Sequence, residues 1–131
     1  GYTKPSQYSK SSKSAQEIDP FDASLRTPYF IVYPFTKTIP WYLESGEERM
    51  RMMKGHISLG KQYREINQLL LYSFGLQDQE FVVSYECDKL PQFSDLVYDL
   101  RATEARKYTE NDTPIITGIL RSAEELEEIY T

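Results

Sequence analysis

Polar and apolar positions alternate along this chain in segments separated by turn chemistry. Residues 1–27 are rich in Ser, Lys and Pro and keep no sustained period, which predicts a loop or extended arm ordered by packing against something else. Tyr29-Phe30-Ile31-Val32-Tyr33 is an aromatic and β-branched run of the kind that forms a buried strand. Pro34 cannot donate to a ladder and marks a bulge or the strand's end. Ser45-Gly46-Glu47-Glu48 has the form of a capping box, with Ser45 as N-cap and Glu48 reaching back, so a helix is predicted from there to about Glu65. Leu69–Phe74 is a short apolar run ending at Gly75, and Glu80–Glu86 alternates with Phe81, Val83 and Tyr85 on one face. These two strands form a hairpin through Gly75–Gln79. Pro91 opens a second helix, in which Phe93, Leu96, Val97 and Leu100 recur at helical spacing. A last strand covers Pro114–Ile119. Ser122 to Glu125 caps a short acidic tail helix with Leu126 and Ile129 on its apolar edge.

The order β-α-β-β-α-β defines an α+β chain with a ferredoxin-like antiparallel sheet covered on one face by two helices. The arm is assigned to residues 1–27, the lobe to 28–120 and the tail to 121–131. Strands this aromatic would expose a large apolar patch on the uncovered face, so a second lobe or a partner subunit is expected there. The scaffold by itself assigns no function.

Composition narrows the function classes. The chain has 131 residues, 40% hydrophobic and 27% charged, which is ordinary for one globular domain. A net charge of −5 argues against a nucleic-acid partner, which demands a basic face. No apolar run approaches the roughly 20 residues that span a bilayer. Cys87 is the sole cysteine, so no intrachain disulfide forms, and a cytoplasmic, reducing setting is expected. The chain opens at Gly1 without a methionine and in loop-like sequence, as a processed chain or a fragment does.

The candidate chemistry centres on the single histidine. On a helix, His56 shares a face with Met52 and Met53 one turn back and with Leu59, Gly60 and Tyr63 ahead. A histidine there is either a satisfied core side chain or a ligand. Gly60, lacking a side chain one turn on, leaves room for a flat molecule. One His and one Cys cannot build a multi-His or Cys-rich zinc site, whereas one neutral imidazole is all that haem iron needs on its proximal side. A ligating imidazole also needs an acceptor for its other nitrogen. Glu80, of opposite parity to Phe81 and Val83, is the candidate acceptor, or else a solvated strand-end carboxylate. No Gly-rich phosphate loop is present, and a Ser-His-Asp or Cys-His arrangement could use only His56.

The run Tyr33-Pro34-Phe35, Trp41-Tyr42-Leu43, Glu47-Glu48-Arg49, Met53 and His56 resembles the chlorite dismutase-like family. So do Gly60-Lys61, Ser73-Phe74-Gly75-Leu76 and Asp78-Gln79-Glu80-Phe81, followed by Leu96-Val97-Tyr98, Leu100-Arg101, Glu104-Ala105-Arg106 and Thr113-Pro114. The family includes chlorite dismutases and the coproheme decarboxylases of haem biosynthesis. The resemblance covers about residues 28 to 120. It implies one lobe of a dimeric α+β barrel, the C-terminal, haem-binding one, with the N-terminal lobe absent or carried by another chain. It further implies haem b or coproheme as cofactor, His56 as the iron ligand and Glu80 as its neighbouring carboxylate. Trp41 falls at a pocket aromatic, Lys37 at a propionate partner, and Tyr8 in a linker that carries a functional tyrosine in some decarboxylases. Homo-oligomers are the family habit.

One departure bears on the reaction. Where chlorite dismutases place a distal arginine, this chain reads Asn67-Gln68-Leu69-Leu70. A guanidinium stabilises anionic oxygen species by charge, whereas Gln68 offers a neutral hydrogen bond. Chlorite dismutation is therefore not expected. The expected function is an iron-porphyrin-binding oxidoreductase, with peroxide-dependent decarboxylation of coproheme or related haem peroxidase chemistry as the reaction. The alternative is a non-catalytic interaction or structural subunit whose porphyrin pocket stays empty.

Overall fold

β1 (Tyr29–Lys37) is the strand on which the others assemble. In the computed structural model, which describes residues 1–5, 8 and 15–131, β1 pairs antiparallel with β3 (Phe81–Cys87), and β3 pairs with β2 (Asn67–Tyr72). The far side of β1 is shared by β4 (Thr109–Asn111) and β5 (Ile116–Ile119). The sheet is thus five-stranded and antiparallel, and the chain folds as the expected ferredoxin-like lobe.

Pro34 lies inside β1 rather than at its end, and the hydrogen bonds explain why. The carbonyl of Phe35 accepts from Glu80 N at 3.3 Å, so Phe35 faces β3 and the nitrogen of Pro34 faces the opposite edge. There β5 pairs only with residues 29–32 and β4 only with residues 36 and 37, so no partner is denied a donor.

Side chains of alternating parity separate the two faces. Ile31, Val83, Tyr85 and Cys87 form the core with Leu96, and Leu90, Phe93 and Leu100 of α3 (Leu90–Leu100) pack against it. α2 (Gly46–Gln62) lies beside α3, and its main contacts are with α3 and the 3₁₀ turn Glu104–Tyr108, not with a strand. The Tyr63 hydroxyl donates to Asp99 of α3 and pins the end of α2. A second buried group, Trp41, Met52 and Ala105, sits where α2 meets that turn and the five-residue α1 (Ile39–Leu43). The outward face of the sheet leaves Phe30 and Ile116 42% and 59% exposed, but it also holds a buried Glu86 ion-paired to Arg26 at 2.9 Å.

The described residues of the arm do not lie free of the lobe. Tyr2 forms an antiparallel bridge with Tyr72 and Glu17 a parallel one with Gln68, so the arm touches both ends of β2, and Ile18 is buried. The elements differ in three further details from the sequence expectation. α2 stops at Gln62, where Tyr63 caps it and Ile66 N turns back to Tyr63 O. β2 ends at Tyr72, and Ser73–Phe74 enter a turn in which Gly75 takes φ 74°, a left-handed value that favours glycine. α1 and β4 are too short to carry a period. α4 (Ala123–Tyr130) is capped by Ser122, whose side chain accepts from Glu125 N.

The cap of α2 is the one the sequence calls for. Ser45 Oγ accepts from Glu48 N at 3.1 Å, and Glu47 and Glu48 meet the positive end of the helix. Ser45→Ala is expected to lower stability by about 1 kcal/mol, read from the denaturant midpoint at unchanged slope. Ser45→Asp should keep most of it.

Candidate functional site

α2 carries His56 because its cap fixes where the helix begins and its period then sets the face. Met52, 4% exposed, is packed against Trp41 and Ala105, with Met53, Tyr8 and Tyr108 around them. His56 follows one turn later and is partly buried. Neither of its ring nitrogens hydrogen-bonds to another described residue. Burial, and then the charge of Lys37, push its pKa down to about 4. The imidazole is therefore neutral at pH 7 with a lone pair to give, the state that a metal ligand must have.

Lys37 ends β1 with its Nζ 4.9 Å from the centre of the Trp41 ring and 5.8 Å from that of Phe35. Burial and the neighbouring Arg106 lower its pKa to about 8, against the opposing pull of Glu80. Arg106 is itself paired with Asp112 at 2.6 Å. A cleft of about 660 Å³ opens beside Lys37 and is also lined by Thr38, Pro40, Lys107 and Tyr108. Lys37 is thus common to the surroundings of His56 and to this cleft.

Glu80 meets the site through other groups than expected. Its Oε1 accepts from Lys37 N and from the Tyr42 hydroxyl, both at 2.7 Å, and it does not hydrogen-bond His56. Burial and the Glu80 carboxylate both raise the pKa of the Tyr42 hydroxyl, which stays protonated as a donor. Lys37 links the two: the Glu80 charge acts on it, and its own charge acts on His56.

The other predicted residues divide. Tyr8 packs against the Trp41–Met52 group, on the same side as Met53. Gly60 lies a turn beyond His56, and a Cβ built there meets nothing within 4 Å, so the space beside it is open. Gln68 is opposite Tyr85 in the ladder, hence on the helix-covered face, but its side chain is exposed and its backbone holds the arm. Two residues of the site went unassigned in the sequence: Tyr42 and Arg106. Tyr42 stands next to Trp41 in the α1 segment; Arg106 does not lie in a periodic segment that would mark it.

A neutral imidazole with no hydrogen-bond partner among the described residues, an open glycine beside it, a wall of methionine and aromatic side chains, and the Lys37 ammonium fit a flat, anionic, metal-bearing ligand. The described residues place no three metal-ligating side chains together, so any metal here would arrive with most of its own ligands.

The comparisons agree with this fold. The chlorite dismutase family profile matches residues 1–121. The chain belongs to that family. The chain is 39% identical over 98 residues to the coproheme decarboxylase of Mycolicibacterium smegmatis, covering 75% of this chain and 42% of that protein. The chlorite dismutase of Candidatus Nitrospira defluvii solved with imidazole superposes with a TM-score of 0.75 at 26% identity, over 83% of this chain and 46% of that one. A haem-binding protein from Thermus thermophilus superposes with a TM-score of 0.75 at 25% identity, over 88% and 53%. The chain spans about half the length of these relatives, or less.

Because His56 is the only histidine, its titration can be read alone. Its folded pKa lies below the ordinary value of 6.5, so between about 4 and 6.5 the unfolded chain binds the extra proton and stability rises with pH. The NMR resonance of the His56 ring is expected to titrate near 4. His56→Gln should flatten the stability profile in that window. Lys37→Met should raise the pKa only part of the way, since burial is the larger cause.

Proposed function

We propose that this lobe binds an iron porphyrin, haem b or coproheme, with His56 as the protein's ligand to iron. The observation that carries the reading is the neutral imidazole, without a hydrogen-bond partner among the described residues, on an apolar helix face that stands next to open space at Gly60. The relatives support it, being named for coproheme decarboxylation and haem binding. When bound, the porphyrin iron supplies the redox chemistry, and the chain supplies position and polarity.

In this reading Met53 and Trp41 form part of the apolar wall, and Lys37 offers an ammonium to a propionate. Glu80 holds Lys37 and Tyr42 in place by two hydrogen bonds. Tyr8, set against the Trp41–Met52 group, would offer its phenol to a second propionate. Gln68 presents an amide from the helix-covered side of the sheet. With Gln68, Leu69 and Leu70 where a guanidinium would be needed, this stretch of β2 has no basic side chain to stabilise an oxyanion, and chlorite dismutation is not assigned. Peroxide-dependent decarboxylation of coproheme is the reaction proposed.

The same reading sets the lobe at residues 28–120, with residues 1–27 as its arm and 121–131 as its tail. A further lobe or a second copy of the chain covers the outward face around Phe30 and Ile116. A cytoplasmic setting is consistent with the lone, buried Cys87. A second reading, a non-catalytic subunit with an empty pocket, is favoured by one observation: Glu80 is engaged by Lys37 and Tyr42 rather than by His56.

Titration with haem and with coproheme, followed by Soret absorption, separates the two. Stoichiometric binding is expected. His56→Ala should weaken it by more than the roughly 10- to 100-fold that losing a hydrogen-bonded neighbour of a ligand costs, and Glu80→Gln by less than that range, since Glu80 acts only through Lys37 and Tyr42. No Soret shift in the wild type, or one unchanged in His56→Ala, would leave the non-catalytic reading standing.

A further inference from the structure

The side-chain amide of Gln16 reaches three carbonyl oxygens at one point of the fold. Its Nε2 donates to Gly60 O at 3.2 Å, Tyr63 O at 2.8 Å and Ile66 O at 3.0 Å. These belong to the last turn of α2, to its C-cap and to the turn that follows; Gly60 O and Tyr63 O also accept from the backbone N–H of Tyr63 and Ile66, so the amide reinforces the helix end where intrahelical bonds run out. The backbone of the same residue accepts from Gln68 N at 2.7 Å, and Ile18 N donates to Gln68 O at 3.0 Å. One residue therefore fastens the arm both to the helix that carries His56 and to the strand that carries Gln68. Earlier in the same arm, Tyr8 packs on Trp41 and Met52.

We infer that Gln16 is a positioning residue that couples docking of the arm to occupancy of the site at His56. The inference rests on the porphyrin reading above. Its physical basis is the helix end. Gly60 is one turn beyond His56, and with its carbonyl and those of Tyr63 and Ile66 held by one amide, the turn that aims the imidazole cannot fray without releasing the arm. Linkage then runs both ways: whatever factor the docked arm adds to porphyrin affinity, porphyrin adds to arm docking.

The donor inventory ranks the variants. A lysine at this position has three N–H donors and a charge that suits a helix C-terminus. An alanine has none, and a glutamate turns two acceptor oxygens toward three others. Gln16→Lys should therefore preserve the coupling, Gln16→Ala lose it, and Gln16→Glu oppose it.

The test uses the full chain and haem as probe, with three readouts: Soret titration, amide hydrogen exchange at Ile18 and Gln68 with and without haem, and the iron–histidine stretch of the ferrous complex by resonance Raman. In the wild type, haem should slow exchange at both amides by about tenfold. In Gln16→Ala the slowing should vanish, haem should bind weaker by the same factor, and the iron–histidine band should shift or broaden. Gln16→Lys should restore all three. Unchanged slowing and an unchanged band in Gln16→Ala overturn the inference, and so does an equal loss in Gln16→Ala and Gln16→Lys. If Gln16→Glu fails to fold, the alanine and lysine variants decide alone. Absence of haem binding in the wild type removes the porphyrin reading and this inference together, whereas binding that needs His56 but ignores Gln16 removes this inference only.

Discussion

One carboxylate oxygen, Oε1 of Glu80, holds together the parts on which the site depends. It takes the backbone N–H of Lys37 at the end of β1 and the hydroxyl of Tyr42 in α1, two groups that reach it from opposite sides of Trp41 in sequence. The turn from strand to helix is fixed by that clasp, and with it the place of the Trp41 ring and of the ammonium above it. An unpaired N–H at a strand end would cost about 1–3 kcal/mol if buried, so the bond to Glu80 is also what allows β1 to stop where it does. The surroundings of His56 are built outward from this point.

Two basic groups share those surroundings, and burial penalises the charge on both. Lys37 and His56 each titrate well below their ordinary values, and each would raise the energy of the other if charged. The negative charge of Glu80 acts in favour of Lys37, which with a pKa of about 8 remains largely an ammonium at pH 7. His56 is left neutral. The division of labour follows from placement: the group near the carboxylate keeps its proton, and the group on the methionine-lined helix gives its proton up. α2 itself rests on α3 and on the 3₁₀ turn at Glu104–Tyr108.

Much of the fold was legible because its signals are local. The capping box at Ser45 and the aromatic run at Tyr29–Tyr33 need only their own neighbours, and both elements form where those residues stand. His56 could be set on a face with Met52 and Gly60 by counting turns. The partners of Glu80 could not be counted in that way, since they lie 43 and 38 positions away and one of them is a backbone N–H. The arm was unreadable for a related reason. Gln16, Glu17 and Ile18 bind through main-chain groups and one amide, and a polar, aperiodic stretch does not distinguish that from a solvated loop. Pro34 shows a local rule outweighed by its setting: a proline inside a strand is admissible once the far edge has a gap opposite it.

That gap has a second effect. The free margins of an antiparallel sheet are templates on which another chain can add a strand, and aggregation starts from such margins. Here the far margin is cut by Pro34 into pieces of three and four residues, β4 and β5. The other margin, β2, is met at both ends by the chain's own arm. A lobe whose strands are this rich in aromatic and branched residues would otherwise offer long adhesive edges while it folds. Instead, neither margin presents an uninterrupted row of donors and acceptors, and whatever docks on the protein is steered to the faces of the sheet and away from its rims.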